Sequence, residues 1–582
     1  MESTLEVQVA QSYVDLQKLH ELAYLLTDDD EPQDARPLRI AQAKALFYPA
    51  FLVLLADAPS NTIPYHHDSV DFFLFGFRTF SALCIATKRT DSASLIPMLQ
   101  KLSPQIVKWT ALFHPTRRRI IGGQNQRNVR AEISELCQVY TRLLDVDPDG
   151  LRTFLRRNPD FATQVFELWL EFTNHIPLLD RSDDQMDGRL ACLIATMVLR
   201  LQGELAAMAE LETTDDKGCL LDALRRSGVT KRSLYRIIGP HILFMCRFAL
   251  DPGLAPSTWG NYLLFTEGLL CLPDFEPSRI PRDVISSAVT AARFCLHRRD
   301  YISSSRLVRF IDTVCSVARD NRPLVLSIRG GIFRILHELD SAPTKADITP
   351  FVQRMCAGIV HAKVLRAFKR HAAAFAASAV GPIRGQLTWQ NVRTVYEAYQ
   401  VMYYTDEDHK QWKHYISCHN SQGPHAQLVR MCPCGDAFYC SGSCQRMHWK
   451  GAHGSECRAS DGPWGLGGVV SLLDIAFLFC IVRAQNTYSK ANISKEICEL
   501  LAHAEDRSRH ETLQVVIMTD FSTVLPRARH KVCLRAIKSS DIPLDSSAAV
   551  LSCIAVEATF YFGRTVATRL MPFTYPLNLF RS

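Results

Sequence analysis

The chain has 582 residues, 47% of them hydrophobic, and a formal net charge of +7 at pH 7. The positive excess is small for this length, so charge alone does not favour a nucleic-acid partner. A helical region of several hundred residues also exceeds the usual size of one hydrophobic core, which argues against a single compact bundle.

Residues 1–410 are predicted to be a helical region. Apolar residues recur at three- and four-residue intervals in the segments that begin at Leu5, Ala41 and Val129, a pattern typical of amphipathic helices. Polar or Pro/Gly breaks separate such segments at 28–32, 59–64, 122–123, 147–150, 215–216, 251–253, 273–277 and 342–343. This spacing predicts an irregular armadillo- or HEAT-like solenoid, with a compact bundle as the alternative.

Two groups of basic residues occur within the helical region. The first comprises residues 117–119, Arg127 and Arg130, and the second comprises Arg225, Arg226, Lys231 and Arg232. We expect them at helix ends and in loops, where cations complement the helix dipole. A nucleic-acid-associated factor that uses these loops is the alternative function, although neither interleaved aromatic residues nor a reading helix accompanies them.

The strongest local signal is a cluster of cysteines late in the chain. Six of the 19 cysteines lie between Cys418 and Cys457, together with His453. Closely spaced ligand pairs are typical of zinc sites, because one turn of chain then offers two donors to one ion. The segment after Met1 lacks the basic start and apolar stretch of a secretory signal peptide, which predicts an intracellular, reducing setting. Zinc is therefore favoured over disulfides.

The second half of the cluster has a recognisable order, Tyr439-Cys440-x3-Cys444-Gln445-x3-Trp449-x3-His453-x3-Cys457. This order resembles the MYND-type zinc finger, which we assign to residues 414–457. The wider layout, with a long helical region before the finger and a short region after it, is similar to that of uncharacterised MYND-containing proteins of mushroom-forming fungi. That second resemblance implies no activity.

The resemblance to the MYND finger implies two interleaved zinc sites and thus two zinc ions. Site one takes Cys418, Cys440 and Cys444, and site two takes Cys432, Cys434, His453 and Cys457. The family usually has a second cysteine shortly after the first, which this chain lacks.

A histidine is the predicted fourth ligand of site one, because neutral imidazole also binds zinc. His425, which follows a Gly-Pro turn, is favoured over His419 and His414. The alternative is a weak or empty first site.

The zinc is expected to be structural and the protein is not expected to be an enzyme. Four protein ligands fill site two, which is typical of structural zinc. The sequence contains no His-Glu-x-x-His motif, Gly-rich phosphate loop or Gly-x-Ser-x-Gly elbow, and it lacks the Asn-His-Ser-Cys core of SET-domain methyltransferases.

Gln445 and Trp449 are the predicted binding residues of the finger. They are four residues apart on the helix expected after Cys444 and so share one face. The resemblance implies that this face docks short proline-containing peptides of partner proteins. A role in the regulation of transcription is a hypothesis that accompanies this prediction. The alternative is that Trp449 fills a small core.

Residues 463–582 are predicted to form a small α+β region packed against the finger. The run 466–482 is apolar, but it is shorter than the ~20 residues of a membrane span and contains Asp474, so a buried helix is predicted. Residues 513–522 and 530–537 are predicted to be two strands, joined by a loop that contains Pro526.

Overall fold

The computed structural model describes most of the chain. The described residues are 2–28, 32, 34–58, 63–64, 67–88, 90–117, 119–121, 129–146, 154–155, 157–175, 221–248, 255–277, 279–343, 347–378, 386–405, 418–420, 422, 425, 430–432, 437–457, 472–504, 513–522, 529–536, 553–563 and 565–580. They form a mainly helical structure with a small sheet and a cysteine-rich segment.

The chain divides into two compact units, Met1–Gly268 and Leu269–Ser582. The predicted helical region 1–410 therefore contains parts of both units. Helices α1 to α9 are Glu2–Thr27, Arg36–Ala50, Leu52–Leu55, His67–Ala86, Ile96–Phe113, Val129–Asp145, Pro159–His175, Lys231–Phe248 and Ala255–Leu270. The helices predicted at Leu5, Ala41 and Val129 are confirmed as α1, α2 and α6.

The first unit is held together by large buried side chains and by hydrogen bonds of buried polar groups. Phe73 stacks on Trp109, whose indole N–H donates to the carbonyl oxygens of Leu54 and Ala56, both at 3.1 Å. Helix α4 packs on α1 and α6, so that helices distant in sequence share one core. The two short strands β1 (Ile63–Pro64) and β2 (Ile120–Ile121) pair in parallel.

The predicted basic groups are partly occupied by ion pairs. Arg117 donates to both carboxylate oxygens of Asp160, at 2.7 and 2.8 Å, and to Glu167. Arg225 pairs with Asp222 at 3.1 Å. These arginines balance carboxylates of their own unit. Of the other predicted basic residues, Arg118 and Arg127 lie outside the described residues.

The second unit begins with further helices and contains the finger and the sheet. Helices α10 to α20 are Arg282–His297, Tyr301–Val317, Arg322–Arg329, Ile332–Asp340, Thr349–Gly358, Ala362–Ser378, Gln386–Thr405, Gly442–His448, Gly454–Glu456, Leu472–Tyr488 and Lys490–Ala504. The carboxylate of Asp300 caps α11 by accepting from Ser303 N at 3.0 Å. Between α12 and α13, Gly331 adopts a φ of 88°, which favours glycine.

The predicted breaks at 273–277 and 342–343 separate α9 from α10 and α13 from α14. The breaks at 122–123, 147–150, 215–216 and 251–253 lie outside the described residues.

Helix α19 overlaps the predicted buried helix at 466–482. Phe477, Ile481 and Val482 are buried, as is Asp474. Residues 466–471 lie outside the described part. Among the described helices, none combines the length and the apolar character that crossing a bilayer requires.

A four-stranded sheet follows α20. Its strands are β5 (Leu513–Asp520), β6 (Arg529–Ala536), β7 (Cys553–Phe562) and β8 (Thr565–Pro576), in the order β6-β5-β7-β8. Strands β5 and β6 confirm the two predicted strands and are antiparallel, while β5 and β7 are parallel. The predicted loop residue Pro526 lies outside the described residues.

The sheet packs on α20 and, through β7, on α14. Ile493 and Ile497 of α20 cover Val515 and Ile517 of β5. All four side chains are buried, so apolar contact holds this layer together.

Candidate metal centre

A short hairpin positions the middle ligands of the finger. Strands β3 (Arg430–Met431) and β4 (Phe438–Tyr439) pair in antiparallel fashion, and Cys432 N donates to Ala437 O at 2.8 Å. Cys432 directly follows β3 and Cys440 directly follows β4, so the hairpin fixes one ligand of each site.

The segment that contains Cys418 is fastened to β4. His419 N donates to Phe438 O at 2.8 Å, and Phe438 N donates to His419 Nδ1 at 3.1 Å. These two hydrogen bonds place Cys418 beside the strand that leads to Cys440. The first ligand of site one is thus brought close to Cys440, which lies 22 residues later in the sequence.

Helix α17 carries Cys444 and Gln445 and begins with a capped first turn. The Ser441 hydroxyl accepts from Cys444 N at 3.1 Å, which satisfies an amide that the helix leaves free. Neither this cap nor the hydrogen bond between Tyr439 Oη and His448 Nδ1, at 2.8 Å, was predicted. A serine directly before the predicted helix could have indicated the cap.

Site one is brought together as a four-ligand cluster. The sulfur atoms of Cys418, Cys440 and Cys444 and a ring nitrogen of His425 all lie within 4.8 Å of one another. Cys440 Sγ is 3.5 Å from Cys444 Sγ and 3.6 Å from His425 Nδ1. A zinc tetrahedron with its usual bond lengths has edges of about 3.8 Å between sulfur atoms and about 3.6 Å between sulfur and nitrogen.

Site two contains three ligands among the described residues. Cys432, His453 and Cys457 lie within the same 4.8 Å limit. Cys432 Sγ is 3.3 Å from His453 Nε2 and 3.9 Å from Cys457 Sγ. The fourth predicted ligand, Cys434, lies outside the described residues. The donor types and their separations fit a tetrahedral zinc ion.

The structure distinguishes the three histidines proposed for site one. His425 turns Nδ1 towards Cys440. His419 uses Nδ1 to accept from the backbone of Phe438, and its ring lies beside those of Phe438 and His448. His414 lies outside the described residues. Geometry therefore favours His425, although the ligand assignment stays a prediction.

Thiol contacts in the finger are those of metal ligands rather than disulfides. None of the five described cysteines of the finger forms a disulfide bond. The sulfur atoms of Cys440 and Cys444 are 3.5 Å apart and those of Cys432 and Cys457 are 3.9 Å apart, far more than the bond length of about 2.05 Å in a disulfide.

Two of the three sulfurs of site one differ in their electrostatic surroundings. The side chains of Asn420 and Ser441 stabilise the Cys444 thiolate and lower the pKa of that thiol to about 6. Burial raises the pKa of Cys418 above its ordinary value. Zinc binds thiolates, so Cys444 is prepared for coordination near neutral pH while Cys418 must lose its proton as the metal binds.

The buried interior of the finger consists largely of its ligands. Cys432, Cys440 and Cys444 cluster with Ala437 and Tyr439, and Cys418 and Cys457 pack against them. This cluster removes little apolar surface from water, so metal binding must supply much of the folding free energy.

Trp449 lies at the surface beside site two. A turn of π-helix spans Trp449–His453, and the indole meets the His453 ring edge-on at a centroid distance of 5.7 Å. A side chain at Gly454 would come within 2.5 Å of Trp449 O, so glycine permits this close turn. Trp449 N donates to Gln445 O, as expected for residues one turn apart on the same face.

Comparison with known proteins agrees with the geometry of the finger. Residues 417–457 match the family model of the MYND finger. No curated protein and no solved structure matches the chain. A MYND finger is a zinc-binding module of protein–protein interaction, and the two ligand clusters fit its two metal sites. The chain therefore carries a zinc-binding MYND finger at residues 417–457.

Proposed function

We propose that the finger docks a short proline-containing peptide of a partner protein on the face formed by Gln445 and Trp449. The observation that carries this proposal is the exposure of Trp449, of which 45% is accessible. Trp449 is not part of the buried cluster of the finger, so its ring is not needed to fill that core. An exposed aromatic ring suits proline, which offers a flat apolar surface at low entropic cost.

The contacts that hold the Trp449 ring in place favour binding of the peptide to a preformed surface. The indole rests against His453, which is buried and belongs to site two. The backbone of Gly454 also lies close to the ring, because a Cβ atom at that position would be only 3.3 Å from Trp449 Cδ1. A ring that is supported by its neighbours loses little freedom when a ligand binds, which increases affinity.

The helical part acts in this proposal as a scaffold that presents the finger. Residues 1–410 would form an irregular armadillo- or HEAT-like solenoid, and the packing of α10 on α11 and of α1 on α2 supports stacking of neighbouring helices. The setting is intracellular, in the nucleus or the cytoplasm, and the process is regulation of transcription. The resemblance of the layout to MYND-containing proteins of mushroom-forming fungi stays a hypothesis.

We propose no catalytic role for the zinc ions. Site one offers four protein donors, which leaves no coordination position for a substrate or a reactive water. Zinc that is fully coordinated by protein stabilises structure, and the protein acts by binding rather than by catalysis.

The alternative function, contact with nucleic acid through basic loops of the helical region, has less support. Arg117 and Arg225 are paired with carboxylates, and phosphate would have to displace Asp160 and Glu167 from Arg117. Phosphate contacts would make binding fall steeply with salt, whereas a peptide groove loses little affinity.

Selection from a peptide display library tests the docking proposal. The full chain and its Trp449→Ala variant are each used to select from a library of short peptides that contain one fixed proline. We expect the unchanged protein to enrich a defined group of peptides and the variant to bind them about 30-fold or more weakly, as for an aromatic hot spot.

Met447→Ala is the matched control. Met447 has the same 45% exposure but lies two residues from Trp449, on a different face of the helix. It should keep the peptide affinity, and both variants should keep the zinc content. Selected peptides that bind Trp449→Ala as tightly as the unchanged protein would exclude docking on this face.

A further inference from the structure

The second unit contains a cavity of about 380 Å³ whose walls are mainly basic. Five cations line it, namely Arg322, Arg329, Lys363, Arg366 and Arg370. Asp320 and Asp474 are its carboxylates, so five positive charges face two negative ones and the net charge is +3. The volume falls within the range of small-molecule sites, which is about 300–1000 Å³.

The cations lie on the facing sides of two packed helices. Lys363, Arg366 and Arg370 are spaced by three and four residues on α15, so they share one face. Arg322 and Arg329 are seven residues apart on α12, which packs on α15. The period of the α-helix thus directs the cations of α12 and those of α15 into the same cavity.

Helix N-termini add to the positive potential of the cavity. Helix α12 begins at Arg322, α15 at Ala362 and α19 at Leu472, and each has a lining residue in or next to its first turn. The amides of a first turn carry partial positive charge and favour anions. One of these amides already has a partner, since Arg322 N donates to Asp320 Oδ1 at 3.0 Å.

Among the residues that the structure describes, none of the five lining cations forms an ion pair with Asp or Glu. Some arginines elsewhere in the same unit are paired, as in Arg354 with Asp312 at 2.6 Å. Like charges held together in this way repel one another, and a bound anion would relieve the repulsion.

The rear of the cavity is fixed by the sheet. His361 lies at hydrogen-bond distance, 2.7 Å, from Tyr561 O, and Gly563 N donates to Asn321 Oδ1 at 3.0 Å. Burial lowers the pKa of His361, with the nearby Asp474 opposing that shift. The positive charge of the cavity therefore comes from its arginines and lysine.

The lining favours phosphate groups over other anionic ligands. Arginine binds phosphate through two parallel hydrogen bonds, and four of the five cations are arginines. Apart from His361, no lining residue is aromatic among the residues described, so the cavity offers little for stacking a nucleobase. Several cations within one small volume match several phosphates on one small molecule.

We propose that this cavity binds a small, multiply phosphorylated anion. The site is distinct from the finger and does not depend on peptide docking, since none of its lining residues belongs to 417–457. Its occupant would neutralise the facing charges of α12 and α15 and so stabilise the second unit.

Titration calorimetry of the full, zinc-loaded chain with inositol hexakisphosphate tests the proposal. Sulfate, which carries only one anionic group, serves for comparison. We expect the phosphorylated probe to bind at one site and much more tightly than sulfate. Arg366→Gln combined with Arg370→Gln should weaken binding about tenfold or more, because hydrogen bonds between charged groups are lost.

The matched control is Arg279→Gln combined with Arg282→Gln, which removes the same charge from exposed residues of the same unit outside the cavity. It should leave the affinity nearly unchanged. Equal weakening in both double variants would show general attraction to a basic protein and overturn the proposal. So would affinity no greater than that for sulfate.

Two further readouts complete the test. Phosphorylated probes also bind zinc, so zinc is measured in the protein after titration. The proposal would be overturned if the binding heat were accompanied by loss of zinc from the protein and were the same in the cavity variants. Vesicles that carry phosphatidylinositol 4,5-bisphosphate distinguish the source of the phosphates: cavity-dependent binding to vesicles in preference to the soluble probe assigns a lipid headgroup, and the reverse assigns a free ligand.

Discussion

The finger and the four-stranded sheet are two small parts of the same unit that are stabilised by opposite means. The buried cluster of the finger is built mainly of cysteines. The cluster between α20 and the sheet consists of aliphatic and aromatic side chains, among them Ile493, Ile517 and Phe580. Folding of the finger is favourable only when a metal ion binds. Folding of the layer between α20 and the sheet is driven by the removal of apolar surface from water.

The difference shows what local sequence can reveal. Metal ligands must be of a few residue types and lie near one another in the chain, so the finger has a recognisable pattern. Apolar side chains are interchangeable, and those of the cluster between α20 and the sheet are spread along the sequence from Ile493 to Phe580. No short motif therefore marks this layer. Stability tests should separate the two parts in the same way.

Removal of zinc should have the largest effect. A chelator should abolish the protection of backbone amides at 437–457 against hydrogen exchange, because structural zinc contributes about 10–16 kcal/mol in small fingers. Residues 513–520 of β5 should keep their protection. The measurement is hydrogen exchange with mass spectrometry, and added zinc should restore the finger. Protection of the finger that persists without metal would contradict the comparison.

Shortening a buried side chain of the sheet should give the reverse result. Ile517 is fully buried in β5, so Ile517→Ala should lower the free energy of unfolding by about 2–5 kcal/mol while the zinc content is unchanged. Urea unfolding and metal analysis measure the two quantities.

Val566→Ala is the control for that change, because 48% of this β8 side chain is exposed. It should cost no more than about 0.5 kcal/mol, as surface changes usually do. Equal costs at Ile517 and Val566 would mean that burial does not stabilise the sheet.

The most local effect is expected at a single ligand of site one. His425→Ala removes one donor from site one, so the zinc content should fall from two ions towards one while site two stays filled. His419→Ala, which loses a hydrogen bond to Phe438 but no predicted zinc ligand, should keep both ions. Metal analysis after dialysis distinguishes the variants, and the opposite pattern would make His419 the ligand.

Much of the finger could be predicted from the ligand spacing together with the resemblance to the MYND finger. The pairs Cys440/Cys444 and His453/Cys457 are four residues apart, and the structure assigns them to different clusters, as the resemblance implied. The approach of His425 to Cys440 could only be proposed, because 15 residues of chain separate them. The turn of π-helix at Trp449–His453 has no sequence signal of this kind.

The helical character and strands β5 and β6 were also predictable, since periodic apolar residues directly reflect local structure. Strands β7 and β8 were not predicted, although Cys553–Phe562 is rich in β-branched and aromatic residues. The parallel pairing of β5 with β7 depends on contacts between distant segments, which local patterns do not encode.

The basic cavity was likewise not predicted. Its cations are on α12 and α15, whereas the sequence drew attention to runs of adjacent arginines such as residues 117–119. Adjacent residues on a helix point in different directions, and residues three, four or seven apart share a face. Cations at heptad spacing are therefore the pattern that could have indicated the site.

The hydrogen bond between Gly563 and Asn321 has a consequence for the order of folding. It joins residues 242 positions apart. Gly563 has a φ of 56°, and a side chain there would collide with Ala318 O, so the hairpin tip fits closely against the start of α12. Contacts of such long range close slowly and after local ones. The wall of the cavity nearest the sheet is thus completed only when the last two strands have formed, late in the folding of the unit.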